Sequence, residues 1–369
     1  MERLDQILRW AQLAGASDLH LAVGRPPLCR IDGSLLAPDA ADWPTAAALP
    51  PELALPFTRA EAEEAARSLL TEAQYQRFQA VGEFDLAYSP AGGGRCRVNL
   101  FKQLGAVGLA CRLLKQEPPT LAELGLPEIL TSLCRKRRGL LLVTGVAGSG
   151  KSTTLAAMLD QINRESHRHI ITLEDPVEYL HRPQKSLITQ REVGSDTKSF
   201  ATALRAALRE DPDVILVGEM RDPETIAIAL TAAETGHLVL GTLHTAGAAQ
   251  GVDRVLNAFP PHQLPQARAQ LSNTLLGLTA QMLIPGKGGR GRVAVMEVMI
   301  ATAAIRNLIR EGKTYQIINQ MQTGAKYGMQ TMEIALLQAV RQNQTDKATA
   351  LSQAADYDPA LSDAARGGN

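Results

Sequence analysis

The sequence predicts an α/β chain in two parts, a small α+β unit followed by a larger domain built on a parallel sheet. Three observations carry that prediction. Short apolar runs at Leu140–Thr144, Ile170–Leu173, Val214–Val217 and Leu238–Thr242 alternate with helical patterns, as doubly buried parallel strands do. Ahead of them, short strand-like and helical segments mix without that regular alternation. Between the two, Glu117 to Gly125 carries Pro118 and Pro119 and reads as a linker. The expected division is a domain over 1–115, a linker over 116–125, a nucleotide-type α/β domain over 126–345 and a polar tail over 346–369. A chain of 369 residues has room for two or three such domains.

Within the first part, Leu4, Ile7, Leu8 and Ala11 fall at helical spacing. Asp18-Leu19-His20-Leu21 alternates like a half-buried strand, and Arg30-Ile31-Asp32-Gly33 closes a hairpin. Residues 36–57 are rich in Ala and Pro and read as an irregular surface loop. Two helical patterns follow over Thr58 to Phe78, then strands at Phe84–Tyr88, Arg95–Leu100 and Gly108–Leu114. In the second part, residues 260–340 read as mostly helical, and the tail beyond Arg341 reads as frayed.

Composition narrows the function. Lys plus Arg and Asp plus Glu both total 38, so there is no basic surplus for non-specific nucleic-acid binding. Aromatics make up 4%, which is poor material for base-stacking platforms. The N-terminus lacks the apolar core of a signal peptide, and no run approaches the ~18 apolar residues of a membrane span. Cys29, Cys96, Cys111 and Cys134 form no C-x-x-C pair and read as reduced thiols of a cytoplasmic protein.

The chemistry centres on Gly145-Val146-Ala147-Gly148-Ser149-Gly150-Lys151-Ser152, which matches G-x-x-x-x-G-K-[ST] between a strand and a helix-forming stretch from Thr153 to Ile162. Backbone N–H groups of such a loop cradle phosphates, the Lys reaches the β/γ oxygens and the Ser ligates Mg²⁺, so ATP with Mg²⁺ is the expected ligand. Two acidic clusters end later strands. Val214-Ile215-Leu216-Val217-Gly218-Glu219 places Glu219 where a Walker B carboxylate holds Mg²⁺. Glu174-Asp175-Pro176-Val177-Glu178 offers three carboxylates, any of which can orient and deprotonate the attacking water. His237 and His244 bracket the strand Leu238–Thr242 and are candidates to sense the γ-phosphate or ordinary structural histidines.

At these residues the sequence resembles the secretion-superfamily ATPases, and within them the type IV pilus retraction motors. The likeness runs from about Met1 to Ala350. It rests on the Walker A run, the acidic Asp box Ile171–Tyr179, the Walker B run Leu216–Asp222, the His box Ala232–Thr245, the segment Gly15–Leu21, and Arg97-Val98-Asn99 with Arg112. The resemblance implies a PAS-like first domain, a RecA-like P-loop ATPase second domain and a homohexameric ring. It implies Glu178 as the general base, Glu219 on Mg²⁺, His244 coupling the γ-phosphate to the sheet with His237 in a lesser role, and nucleotide contacts extending to Thr153. Arg97 and Arg112, otherwise ordinary strand arginines, would close over the triphosphate.

Assembly and type II secretion ATPases generally add an N-terminal domain and a tetracysteine zinc motif; this chain has no paired cysteines. Ala304-Ile305-Arg306-Asn307-Leu308-Ile309-Arg310-Glu311 reproduces an element of the retraction branch, with Ile305, Leu308 and Ile309 on one helical stripe and Arg306 and Arg310 on another face. Two features depart from the family pattern: the long insert at 36–57, and Leu104-Gly105 in place of an expected Asn-Arg. The implied setting is cytoplasmic and peripheral at the inner membrane, with a PilC-like platform protein and a PilU-like ATPase as candidate partners, and no direct nucleic acid. The alternatives are a PilU-like or pilus-assembly ATPase, a nucleic-acid translocase, and a nucleotide-gated scaffold.

Overall fold

The computed structural model describes residues 2–31, 34–40, 43, 50–114, 117–289 and 291–357. The chain divides into two compact units, Met1–Glu117 and Pro118–Asn369.

The first unit opens with α1 (Glu2–Leu13), whose Leu4, Ile7, Leu8 and Ala11 are all buried. Its sheet comprises β1 (Asp18–Leu21), β2 (Leu28–Ile31), β3 (Ser34–Leu36), then, after α2 (Arg59–Leu69) and α3 (Glu72–Val81), β4 (Glu83–Tyr88), β5 (Cys96–Gln103) and β6 (Ala106–Leu113). The strand order is β3-β2-β1-β6-β5-β4, with every neighbouring pair antiparallel. Thr58 and Thr71 each complete a reciprocal capping box, with Glu61 and Gln74, which fixes where α2 and α3 begin. β2 and β3 pair as the hairpin expected from sequence, while its turn residues Asp32 and Gly33 lie outside the described residues.

The Ala/Pro-rich insert is not simply a surface loop. Trp43 stacks on Trp10 with ring centroids 4.6 Å apart and planes 8° from parallel, and Leu53 and Phe57 are buried in the same core. Two flat aromatic rings and two further apolar side chains anchor the segment from below. Residues 41, 42 and 44–49 of the insert lie outside the described residues.

The second unit begins with residues that the sequence assigns to the linker. Leu121 and Leu126 are buried among Leu130, Leu133 and Met158, so 120–126 is part of this unit's core. A helix α4 (Ile129–Cys134) leads into β7 (Gly139–Thr144), α5 (Lys151–Glu165), β8 (His169–Glu174), β9 (Leu187–Glu192), α6 (Phe200–Ala207), β10 (Val214–Val217), α7 (Pro223–Glu234), β11 (Leu238–Leu243), α8 (Ala248–Leu256) and α9 (Leu264–Thr274). All six residues of β7 are buried. Leu140 and Leu142 pack with the helices of one face, and Leu141 and Val143 with α4 and α5 on the other, so an unbroken apolar run is needed to cover both faces.

Residues 260–340 are mostly helical, as the sequence predicts, but not throughout. After α9 the chain forms β12 (Leu275–Pro285) and β13 (Arg292–Ile300), an antiparallel pair that extends the sheet to the order β13-β12-β7-β11-β10-β8-β9. Then come α10 (Ala303–Glu311), α11 (Ile317–Gln322), α12 (Met332–Arg341) and α13 (Lys347–Tyr357). The tail is therefore helical through Tyr357, with Ala350 and Ala354 buried in a cluster with Leu336 and Ala339; residues 358–369 lie outside the described residues.

In α10, Ile305 and Ile309 are buried as the stripe predicts. Arg306 is not a solvated partner of Arg310. Its Nη1 donates to the carbonyls of Ser272 (2.6 Å) and Asn273 (2.7 Å), and its Nε to that of Ala301 (2.8 Å), capping the C-terminal end of α9. Among the described residues, no helix is long and apolar enough to cross a membrane.

Candidate functional site

Strands β7, β11, β10 and β8 are parallel neighbours, so their C-terminal ends share one edge of the sheet. Open parallel sheets bind ligands at that edge, because each strand there hands over to a loop while the next chain segment leaves across a face. Here the four loops are the P-loop after Thr144, the Asp box after Leu173, the acidic loop after Val217 and the turn at His244.

The P-loop is held in a conformation that only glycine accommodates at two points. Gly145 and Gly150 have φ of 148° and 89°. A Cβ on Gly145 would lie 2.3 Å from the Gln281 carbonyl, and one on Gly150 would lie 2.8 Å from Gln281 Nε2. α5 then begins at Lys151 with no side chain capping its N-terminus. The first-turn N–H groups are thus available to an anion, and the helix dipole favours it. Val146, Ala147 and Gly148 form the exposed crown of the loop. Ser149 Oγ is buried with no hydrogen-bond partner among the described residues, which suits a phosphate acceptor.

Lys151 is 9% exposed, and its Nζ donates to the carbonyls of Gly145 (2.8 Å) and Val146 (3.0 Å). Burial pulls its pKa down, while the carboxylates of Glu219 and Glu178 hold it up. Reaching a triphosphate therefore exchanges loop carbonyls for phosphate oxygens. Thr153, expected at the nucleotide, pairs its hydroxyl with Tyr179 Oη at 2.9 Å.

Ser152, Glu174, Asp175, Glu178 and Glu219 line one small cavity of about 70 Å³, room for a few waters rather than a nucleotide. Glu174 is the deeply placed member. Burial raises its pKa, and hydrogen bonds from Thr172, Gln190 and the Glu178 backbone N–H work against that rise. Glu178 is exposed on its loop. Glu219 accepts from Arg221 Nε, and His244 Nε2 lies 2.8 Å from Glu219 Oε1.

The two histidines separate. His244 lies at the C-terminal edge with Glu219. The His237 carbonyl accepts from Gly139 N at the start of β7, and its Nδ1 lies 2.9 Å from the Ala232 carbonyl, at the opposite edge. A six-residue strand spans roughly 20 Å, so within one subunit His237 is not a nucleotide contact.

In the first unit, Arg97 and Arg112 face each other across β5 and β6, and Asp18 opposes Arg112 across β1 and β6. Arg112 Nε lies 3.0 Å from Asp18 Oδ1. The Asp18 segment and the two arginines, distant in sequence, form one row across three strands, with both arginines exposed and Asp18 half-buried.

Sequence reasoning missed the groups that support the site. Gln281 on β12 donates to the Ser149 carbonyl (2.8 Å) and accepts from Thr154 Oγ1 (2.7 Å), bracing the P-loop and the start of α5. Thr144 Oγ1 receives Thr245 N at 2.8 Å and bonds Thr245 Oγ1 at 2.7 Å, tying the P-loop strand to the turn after His244. No local pattern marks either residue.

Comparison with known proteins agrees with this geometry. The model for the family described as "Type II/IV secretion system protein" matches residues 108–353. The "Type IV pilus retractation ATPase PilT" of Pseudomonas aeruginosa is 46% identical over 90% of this chain and 92% of its own length. A "Twitching motility protein" of Neisseria gonorrhoeae is 50% identical over 74% of each chain. A crystal structure of the pilus retraction motor PilT with bound ADP superimposes with a TM-score of 0.83 at 45% identity, covering 95% of this chain and 96% of that one. With its P-loop and both acidic loops inside the matched span, the chain belongs to the Type II/IV secretion system protein family.

Proposed function

We propose that the chain is an ATP-hydrolysing motor that drives type IV pilus retraction. The observation that carries this reading is the P-loop of Lys151 and Ser152 sharing one sheet edge with Glu178 and Glu219, in a chain 46% identical to a pilus retraction ATPase over nine-tenths of its length. The ring is a homohexamer. The first unit is a PAS-like domain, and the second is RecA-like.

ATP binds with its phosphates on the α5 N-terminus, and Lys151 moves from the loop carbonyls to the β/γ oxygens. Ser152 and Glu219 fit Mg²⁺, which characteristically takes one or two protein oxygens together with substrate phosphates and keeps several waters. Among the described residues no cluster of three or more His, Cys, Asp or Glu could hold a metal by itself, so the triphosphate completes such a site. The ion would screen the charge of the phosphates. Glu178 accepts a proton from the attacking water, and His244, in contact with Glu219, couples the occupied site to β11. Arg97 and Arg112 neutralise developing charge when the first unit closes on a triphosphate, and product release lets it reopen, so that nucleotide state drives domain rotation.

The motor works at the cytoplasmic face of the inner membrane on a PilC-like platform protein, with a PilU-like ATPase as a possible companion. A balanced charge of 38 basic and 38 acidic residues disfavours a nucleic-acid translocase. The test is ATP turnover by the purified full-length protein. Wild type should hydrolyse ATP without added DNA, and Glu178→Gln should bind ATP while turning over at least about a hundredfold more slowly. Turnover that requires DNA, or that is undiminished in Glu178→Gln, contradicts the reading.

A further inference from the structure

Glu178 sits on a loop and is exposed, yet the residues on both sides of it are tied down. Val177 N donates to Glu192 Oε2 at 3.1 Å. On the other side, the Tyr179 carbonyl accepts from Gln190 Nε2 at 2.9 Å, and His181 N donates to Gln190 Oε1 at 2.9 Å. Gln190 and Glu192 are two apart on β9, so they project from the same face of that strand.

β9 is in turn registered on β8, the strand from which the loop departs: Thr172 opposes Gln190 and Glu174 opposes Glu192. The Gln190 amide also reaches Glu174 Oε1 at 3.3 Å. Its oxygen and nitrogen are thus both directed to the loop or its root. Glu192 is braced by Ser195 Oγ at 3.2 Å, and its own N–H donates to Asp196 Oδ2 at 2.8 Å. The far side of the loop meets the P-loop helix through the Tyr179–Thr153 hydroxyl pair at 2.9 Å.

We propose that Gln190 and Glu192 are positioning residues that hold residues 177–181 so that the Glu178 carboxylate faces the cavity it shares with Ser152 and Glu219. Neither side chain touches the reacting atoms; both act through the loop backbone. The inference rests on Glu178 being the base.

A misplacement near one ångström costs a positioned group about a hundredfold in rate. In the purified full-length protein, Gln190→Met, of similar length but unable to make these bonds, should lower kcat about ten- to a hundredfold and leave the KM for ATP within about twofold. Gln190→Asn, too short to reach, should do the same and serves if the methionine variant does not fold. Glu192→Leu should lower kcat similarly, and Glu192→Gln, which keeps an acceptor oxygen for Val177 N–H, should recover most of that loss. In a Glu178→Gln background, Gln190→Met should add no further loss of turnover, an outcome a general structural role does not produce. A kcat within about twofold of wild type for both Gln190 variants, or losses that multiply in the double variant, overturns the proposal. Undiminished turnover in Glu178→Gln alone sinks the assignment of the base instead, so the two failures are distinguishable.

Discussion

His244 Nε2 lies 2.8 Å from Glu219 Oε1, the side chains being 44% and 19% exposed. The contact joins the ends of two strands, β10 and β11, that are neighbours in register. Next to His244, Thr245 N–H donates to Thr144 Oγ1 beneath the P-loop, so the contact is continuous with the P-loop strand. Removing the ring leaves Glu219 with Arg221 as its remaining cationic contact among the described residues. His244→Ala should keep ATP affinity within about threefold and lower turnover about tenfold, with partial recovery in His244→Gln, which retains a donor. Steady-state ATPase assays paired with nucleotide titration check this, and unchanged turnover in the alanine variant would detach His244 from the mechanism.

The imidazole of His181 should shape the acid limb of stability. Burial lowers its pKa from 6.5 to about 4, and its Nδ1 is buried with no partner among the described residues. The folded state thus prefers the neutral ring. Above pH 6.5 nothing is lost; as pH falls from 6.5 towards 4, the unfolded chain takes up a proton that the folded chain resists, and stability declines. The full span corresponds to about 3 kcal/mol. Urea unfolding of wild type should weaken over that window, and His181→Asn should flatten the decline. Parallel pH profiles for the two proteins would contradict it.

The α10 arginines should behave unequally. Arg306 caps three carbonyls, at Ser272, Asn273 and Ala301, whereas Arg310 makes one 3.3 Å hydrogen bond among the described residues, to the Asn273 side chain. Arg306→Ala should cost about 1–3 kcal/mol by leaving those carbonyls without their donor. Arg310→Ala should change stability by less than about 0.5 kcal/mol, so it is the variant with which to probe a motor role of this element. Denaturant melts of the two variants settle the contrast; equal losses would refute it.

The phosphate loop was legible because its signal is local: a buried strand, eight residues of fixed type and a helix start, all within one contiguous stretch. The carboxylates Glu178 and Glu219 were legible for the same reason, each lying just past an apolar run. β12 was hidden because α9 passes into it between Thr274 and Leu275 with no intervening loop, so the helical reading ran on. β9 was hidden because Leu187-Ile188-Thr189-Gln190-Arg191-Glu192 is a polar edge strand whose pairing with β8 is a matter of tertiary register. His237 was misplaced because residues flanking a strand are close in sequence but end up at opposite edges of a sheet. The burial of Trp43 leaves no local trace because its partner, Trp10, is far away in the chain.

Live imaging of labelled surface pili in cells carrying Lys151→Ala at the native locus tests the central claim most directly. The substitution removes the amine proposed to reach the β/γ-phosphates while leaving the loop glycines in place. Abundant pili that extend but do not shorten are the predicted result. Loss of surface pili would contradict it and assign the chain to pilus assembly.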